Sequence, residues 1–150
     1  MRAVVQRVTD ADVSVGGKIT GLIGKGAVVL IGVETGDDEK DAEYIAKKIA
    51  NLRIFDDADG VMNLSVKDID GEILAVSQFT LLGDATGGNR PSWFKAAKPE
   101  EANSLYRKTI DIMKDTYDLH VEEGVFQAEM LVRINNDGPV TILLESHKLF

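Results

Sequence analysis

Apolar and polar positions alternate through residues 3–8 and 11–15, where Val13 and Val15 are set against Asp12 and Ser14. A period of two predicts two short strands, each with one buried face. Gly16-Gly17 supplies a turn of the kind hairpins prefer, and residues 19–23 continue the meander. Residues 26–33 hold the unbroken run Ala27-Val28-Val29-Leu30-Ile31, which predicts a strand covered on both faces. The period then changes. Ala42, Ile45, Ala46 and Ile49 recur at helical spacing behind Gly36-Asp37-Asp38-Glu39, so a helix is expected with Asp37 as its cap and acids at its positive end. A second helix is expected from Pro99, with Glu100-Glu101 in its first turn and Ala102, Leu105, Tyr106, Thr109, Ile112 and Met113 as its inward stripe.

Between and after the helices the pattern is shorter. Residues 52–55 read as extended, Asp56-Asp57-Ala58-Asp59-Gly60 as a turn, and Asp70-Gly71 as a hairpin turn. A second apolar run covers 73–82 and is interrupted by Ser77, Gln78 and Thr80, side chains that a buried strand keeps only with partners or a purpose. Residues 83–91 form a loop around Gly87-Gly88, and strands are expected at 121–126, 130–134 and 140–144. Asn135-Asn136-Asp137-Gly138-Pro139 separates the last two, and spacing alone favours a tight reversal between paired strands. Pro139 leads straight into a strand yet has no N–H for a ladder, and an X-Pro bond is cis in about 5–6% of cases. With no repeat, linker or low-complexity stretch, 1–150 is expected to be a single domain. Two helices among seven or more strands predict an α/β fold with a mixed sheet, or two packed sheets, and helices on one side. The hairpins argue against a doubly wound parallel fold.

Charge and composition narrow the chemistry. A net charge of −8 excludes a broad nucleic-acid surface, which needs many phosphate contacts. Residues 87–99 nevertheless contain no acid and hold Arg90, Lys95 and Lys98. This is a solvated loop with scattered cations or a small landing site for a phosphate-bearing end, and the sequence alone favours the first. There is no cysteine, hence no disulfide and no thiolate metal site, which fits a reducing cytosol. The apolar run at 1–8 is too short for a signal peptide, and none has membrane-spanning length. His120 and His147 stand alone outside any zinc motif and read as surface or structural residues. The acids at 56–59 lack EF-hand spacing, residues 21–26 lack the Gly-Lys-Ser/Thr ending of a phosphate loop, and no nucleophile elbow surrounds Ser77. No metal and no cofactor are expected. Ser77-Gln78-Phe79-Thr80 remains. It is a buried turn satisfied by its own hydroxyls and amide, or a set of donors for a developing oxyanion with Thr80 as nucleophile.

Six motifs follow one another from end to end. They are the opening Met1-Arg2-Ala3-Val4-Val5-Gln6-Arg7-Val8, then Leu52-Arg53-Ile54-Phe55, Met62-Asn63, Ser77-Gln78-Phe79-Thr80-Leu81, Arg90-Pro91-Ser92 and Asn136-Asp137-Gly138-Pro139-Val140-Thr141. In this order the chain resembles the D-aminoacyl-tRNA deacylase (D-tyrosyl-tRNA deacylase) family. Each motif is weak alone; the ordered set is specific. Two positions depart: Gln127 stands after Phe126 where the family has Gly, and Gly87 precedes Gly88 where Lys or Arg is common. They touch the pocket wall and the tRNA-end patch.

The resemblance implies a cytoplasmic homodimer of three layers, helices over two sheets, with no membrane association. It implies hydrolysis of the ester joining a D-amino acid to the 3′-terminal adenosine of tRNA, and leaves open whether glycyl-tRNA mischarged on tRNA-Ala is a substrate too. It implies that Gly138-Pro139 is a cis-proline motif reaching into the partner subunit's site. Ser77, Gln78, Phe79 and Thr80 would line that pocket, the last three carrying catalysis. Phe126, Met130 and the Ala96-Ala97 region would hold the terminal adenosine. The alternative is a non-catalytic dimeric module that binds a nucleotide or amino acid with the same backbone groups.

Overall fold

A computed structural model describes residues 1–150. The alternation at both ends of the opening segment belongs to one strand, β1 (Arg2–Val15), rather than two. The polar pair Thr9 and Asp10 is exposed but stays extended. β2 (Lys18–Ile23) pairs antiparallel with the second half of β1 through Gly16 and Gly17, which adopt φ of 56° and 79°. β3 (Gly26–Gly32) pairs antiparallel with the first half.

The chain then makes α1 (Glu39–Asn51), a small antiparallel ribbon of β4 (Phe55–Asp56) and β5 (Met62–Leu64), and β6 (Glu72–Ser77). The Asp57 carboxylate closes the ribbon's turn by accepting from the Asp59 and Val61 N–H groups, so the turn expected there is present. Asp70-Gly71 does not make a hairpin. It feeds β6, which lies parallel to β3. α2 (Pro99–Asp115) leads to β7 (His120–Glu123), parallel to β6 and shorter than the strand expected at 121–126.

The reversal expected at Asn135–Pro139 is absent. β8 (Leu131–Glu145) is one strand that runs antiparallel along the free side of β1, from Arg2 opposite Glu145 to Ser14 opposite Leu131. Gln6 faces Thr141 and Val8 faces Asn136, so Asp137, Gly138, Pro139 and Val140 together stand opposite Arg7. The Asn-Asp-Gly-Pro signal marks a bulge in a continuous strand, a local deviation that re-aims the chain without ending pairing.

α1 begins one residue later than expected. Asp38 is the cap, accepting from the Lys40 N–H, and the Asp41 side chain accepts from the Asp38 N–H, completing a capping box. Asp37 holds the Met1 ammonium at 2.8 Å and the Glu34 N–H at 2.6 Å instead. Ala42, Ile45, Ala46 and Ile49 are buried as their spacing predicts; on α2, Ile110 is buried while Leu105 and Ile112 are half-buried.

These helices cover the face of the sheet that presents Ala3, Val5, Val29, Ile31, Ile73 and Ala75. Full burial of a side chain such as Ile45 or Ile110 contributes about 1.5–3 kcal/mol. The opposite face carries a second core of Val28, Leu74 and Val76 packed with Val8, Ala11, Val13 and Ile23. The sheet curls far enough that β2 crosses over β6 and β7. A Cβ on Gly21 would lie 2.8 Å from the Glu123 carbonyl and 3.0 Å from Leu74 Cδ1. The result is the α/β/β order of three layers, with a mixed and nearly closed sheet.

Candidate functional site

The polar break in the 73–82 run is where β6 leaves the sheet. Gln78 N–H donates to the Ile31 carbonyl at 2.7 Å, and Leu81 N–H donates to the Gln78 carbonyl at 3.2 Å. Residues Phe79–Leu82 therefore form a 3₁₀ turn rather than the end of a strand. Leu82 is buried under it, and Arg2 donates to the Leu81 carbonyl at 3.0 Å. Gly32 permits the approach of this turn to β3: a Cβ there would sit 2.6 Å from Leu82 Cδ2 and 2.8 Å from the Gln78 carbonyl. A helical turn leaves its first N–H groups without internal partners, and here these belong to Phe79 and Thr80.

Beside the turn opens a largely apolar cavity of about 640 Å³. Its floor is Ile31, Val33 and Val76; its walls are Ala97, Ala102, Tyr106, Phe126, Met130 and Val132; its polar groups are Ser77, Gln78, Lys98 and Gln127. Each wall is tied down. Ala97 N–H donates to the Val33 carbonyl at 2.9 Å, docking the segment after the loop onto the end of β3. The Ala75 carbonyl accepts both the Tyr106 hydroxyl and the Gly124 N–H, each at 3.0 Å. Burial pushes the Tyr106 hydroxyl well above the usual tyrosine range, aided by the charge of Glu123, so it stays a donor. The Tyr106 and Phe126 rings pack at 6.0 Å. Met130 covers Gly124, where a Cβ would fall 2.5 Å from its sulfur.

Of the residues singled out in the sequence, Ser77, Gln78, Phe79, Ala97, Phe126 and Met130 all line this one cavity. Thr80 is exposed and does not line it; its hydroxyl accepts from the Gln78 side-chain amide, which cannot serve as a base. Gly138 and Pro139 do not line it either. They are exposed on the bulge of β8, with their shared peptide bond cis. Two residues build that bulge and carry no role in the sequence reading. Asn136 donates to the Arg7 carbonyl at 2.9 Å and the Val140 carbonyl at 3.1 Å, bridging the bulge's base. Arg7, nearly buried, donates to the Asp137 carbonyl at 3.3 Å and the Ile54 carbonyl at 2.9 Å, and pairs with the Asp137 carboxylate at 3.2 Å. The signal for Arg7 is its phase: it follows Ala3 and Val5 on the inward side of β1.

The acid-free stretch is anchored at both ends. Asp84 and Ser92 exchange backbone hydrogen bonds of 2.9 and 2.8 Å, and the Thr86 hydroxyl and N–H hold the Asp84 carboxyl below its ordinary range. Trp93 packs edge-on against Phe79 at 5.4 Å. Lys95 lies 3.8 Å from the Asp84 carboxylate, whereas Arg90 and Lys98 have no ion pair and remain exposed, Lys98 lining the cavity. Gln127 adopts φ of 65°, a left-handed conformation that glycine takes without strain.

Comparisons with known proteins agree with this picture. The family model described as D-Tyr-tRNA(Tyr) deacylase matches residues 4–145. The D-aminoacyl-tRNA deacylase of Fervidobacterium nodosum is 58% identical over 150 residues, covering 100% of both chains. That of Thermosipho melanesiensis is 56% identical with the same coverage. Among solved structures, the c-Myc DNA Unwinding Element Binding Protein superimposes with a TM-score of 0.91 at 45% identity, over 97% of this chain and 98% of the other. A structure described as a "probable eukaryotic D-amino acid tRNA deacylase" matches with a TM-score of 0.82 at 15% identity, over 95% and 97%, which shows the shared fold.

Proposed function

The chain belongs to the D-Tyr-tRNA(Tyr) deacylase family, and on that premise we propose that it hydrolyses the ester between a D-amino acid and the 3′-terminal adenosine of tRNA, freeing both. The observation that carries the site assignment is the convergence of Ser77, Gln78, Phe79, Ala97, Phe126 and Met130 on one apolar cavity beside the free N–H groups of a 3₁₀ turn. Phe126, Met130 and Ala97 offer apolar surface to an adenine ring, while Arg90 and Lys98 suit the phosphates behind it. Only the tRNA end enters, so the acidic surface elsewhere is tolerated. A non-catalytic binding module is not favoured by full-length identity to deacylases. Purified protein given D-tyrosyl-tRNA and L-tyrosyl-tRNA should hydrolyse the first and spare the second; D-ester turnover no faster than spontaneous loss would overturn the hydrolase.

The working unit is a homodimer in the cytoplasm. Gly138 and Pro139 project from their own chain outside its cavity, so their contribution to a substrate requires a second chain's cavity. A two-fold contact then completes two equal sites. Light scattering at assay concentration should give twice the monomer mass; an active monomer would remove the shared site. No helix is long and apolar enough to cross a membrane.

Catalysis rests on position and main-chain donors. The N–H groups of Phe79 and Thr80 stabilise the developing oxyanion, Gln78 holds the turn, and the substrate's own 2′-hydroxyl, beside the scissile carbonyl, assists. The partner's Gly138 and Pro139 carbonyls accept from the α-ammonium and set the α-carbon against a wall that an L side chain strikes.

Two outcomes follow. Thr80→Ala removes one neutral hydrogen bond to an amide, so kcat should fall no more than about tenfold, the equivalent of ~1.4 kcal/mol. A loss on the order of 10⁴-fold with fold and dimer intact would identify a nucleophile instead. Gly32→Ala places a methyl against the Gln78 carbonyl and Leu82, shifting the turn outward. Its kcat should drop about tenfold, more than KM changes, because the displaced donors act mainly on the transition state. An equal kcat would show that the turn is not the oxyanion site.

A further inference from the structure

A second constellation lies where the end of β8 meets the connection from β3 to α1. The Glu145 side chain is completely buried. Its Oε2 accepts from the Leu149 N–H at 3.1 Å, but its Oε1 has no hydrogen bond. Glu34 also buries an oxygen, Oε2, without a hydrogen bond. Both orphaned oxygens face the same atom, His147 Nδ1, at 3.4 Å and 3.8 Å respectively. All three atoms lie within 4.8 Å of one another.

The rest of the ring explains what Nδ1 is. His147 Nε2 faces Asp37 Oδ1 at 3.2 Å and Asp41 Oδ1 at 3.3 Å. A carboxylate at one ring nitrogen places the proton there and leaves the other nitrogen as a lone-pair donor, the arrangement found behind metal-bound histidines. A ring so oriented points Nδ1 at the two buried carboxylate oxygens. The Met1 ammonium beside the cluster is bound by Asp37 and Ser146, not by the two glutamates. The spacing is long for hydrogen bonds. The 3.4 Å separation is close to the about 3.3 Å between ligands that each sit some 2.0–2.1 Å from one tetrahedral ion, and the 3.8 Å separation closes to it with a small movement of the Glu34 side chain.

We propose that Glu34 Oε2, Glu145 Oε1 and His147 Nδ1 form a site for a divalent first-row transition cation, separate from the hydrolytic cavity. Two carboxylates and one imidazole suit zinc or manganese; the nitrogen donor disfavours calcium. His147 is about half exposed, with 43% of its side chain open, which leaves solvent access and a coordination position for water. The bound ion would join the end of β8 and the residues after it to the connection between β3 and α1, and its role is structural.

The test is calorimetric titration of the full, metal-stripped chain with Zn²⁺, alongside His147→Ala, Glu34→Gln and a His120→Ala control. His120 is an exposed histidine paired with Glu72 and Glu122 and stands for adventitious surface binding. One zinc per chain is expected, with a melting point that rises on addition. Binding should weaken at least tenfold in His147→Ala and in Glu34→Gln, and stay unchanged in His120→Ala. Co²⁺ should give a visible absorption band that His147→Ala abolishes. Unchanged affinity in His147→Ala, loss in His120→Ala, or no saturable binding would each overturn the assignment; the last would leave a second ring proton as the charge between the two glutamates.

Discussion

Gly138→Ala should cut kcat/KM on D-tyrosyl-tRNA by about 10²-fold or more while the chain stays folded. Gly138 adopts φ of 117°, outside the range of L side chains. A Cβ there would lie 2.8 Å from Val140 Cγ2, 3.0 Å from the Val140 nitrogen and 3.0 Å from Arg7 Nη2. Backbone on one side and a nearly buried guanidinium on the other leave little room to yield, so the bulge itself must move. Displacement of a positioning group by about 1 Å is enough for a loss of this size. Gly138 itself is exposed, but Val140 in the same bulge packs against the main core and the left-handed φ strains any side chain, so the melting point should fall by a few degrees as well. Steady-state deacylation beside a thermal melt checks both halves. A variant with the wild-type rate and the same rejection of L-tyrosyl-tRNA would take the bulge out of the substrate site.

Arg7→Met should damage stability and activity together. The guanidinium holds the Ile54 and Asp137 carbonyls and pairs with the Asp137 and Asp56 carboxylates, yet only 11% of the side chain is exposed. Methionine fills similar space but leaves the Ile54 carbonyl without its buried donor. Losing such a donor costs about 1–3 kcal/mol. The exposed carboxylates return to water at little penalty. In a chain of this length that corresponds to a fall in melting point of about 2–12 °C. Activity should fall as far as in Gly138→Ala, because the same bulge loses its anchor. An unchanged melting point would show that the guanidinium is held by geometry alone and stabilises nothing.

Local periodicity decided the parts of the fold that depend on local contacts. The stripe Ala42, Ile45, Ala46, Ile49 is buried as spaced, and Pro99 opens α2. Asp37 and Asp38 are chemically equal candidates for a cap; the Met1 ammonium and the Glu34 N–H claim the first and leave the second. Asp70-Gly71 has the chemistry of a hairpin, but the partner of β6 is β3, chosen by burial on both faces rather than by the turn. Asn135 to Pro139 satisfies the rules for a turn and for a bulge alike. What separates them is β1, which offers ladder partners on both sides of the segment.

The cavity residues came from family motifs, since nothing in the spacing of Ser77, Ala97, Phe126 and Met130 places them together. Resemblance also flagged Gln127 against an expected glycine, and its φ of 65° supplies the physical reason for that expectation. The acid-free composition of 87–99 gave Lys95 to the patch without the Asp84 that partly neutralises it, because Asp84 lies outside that stretch.

The pairing of the first strand with the last sets a timetable for synthesis. Arg2 meets Glu145 and Ser14 meets Leu131, so one side of β1 has no partner until nearly the whole chain exists. At roughly 5–20 residues per second, a ribosome leaves that edge open for on the order of ten seconds after β1 has emerged. Contacts of such sequence separation also close slowly after release. Throughout that interval a fourteen-residue edge, Arg2–Val15, presents unpaired N–H and carbonyl groups to neighbouring nascent chains. Docking of β8 is the event that ends the exposure.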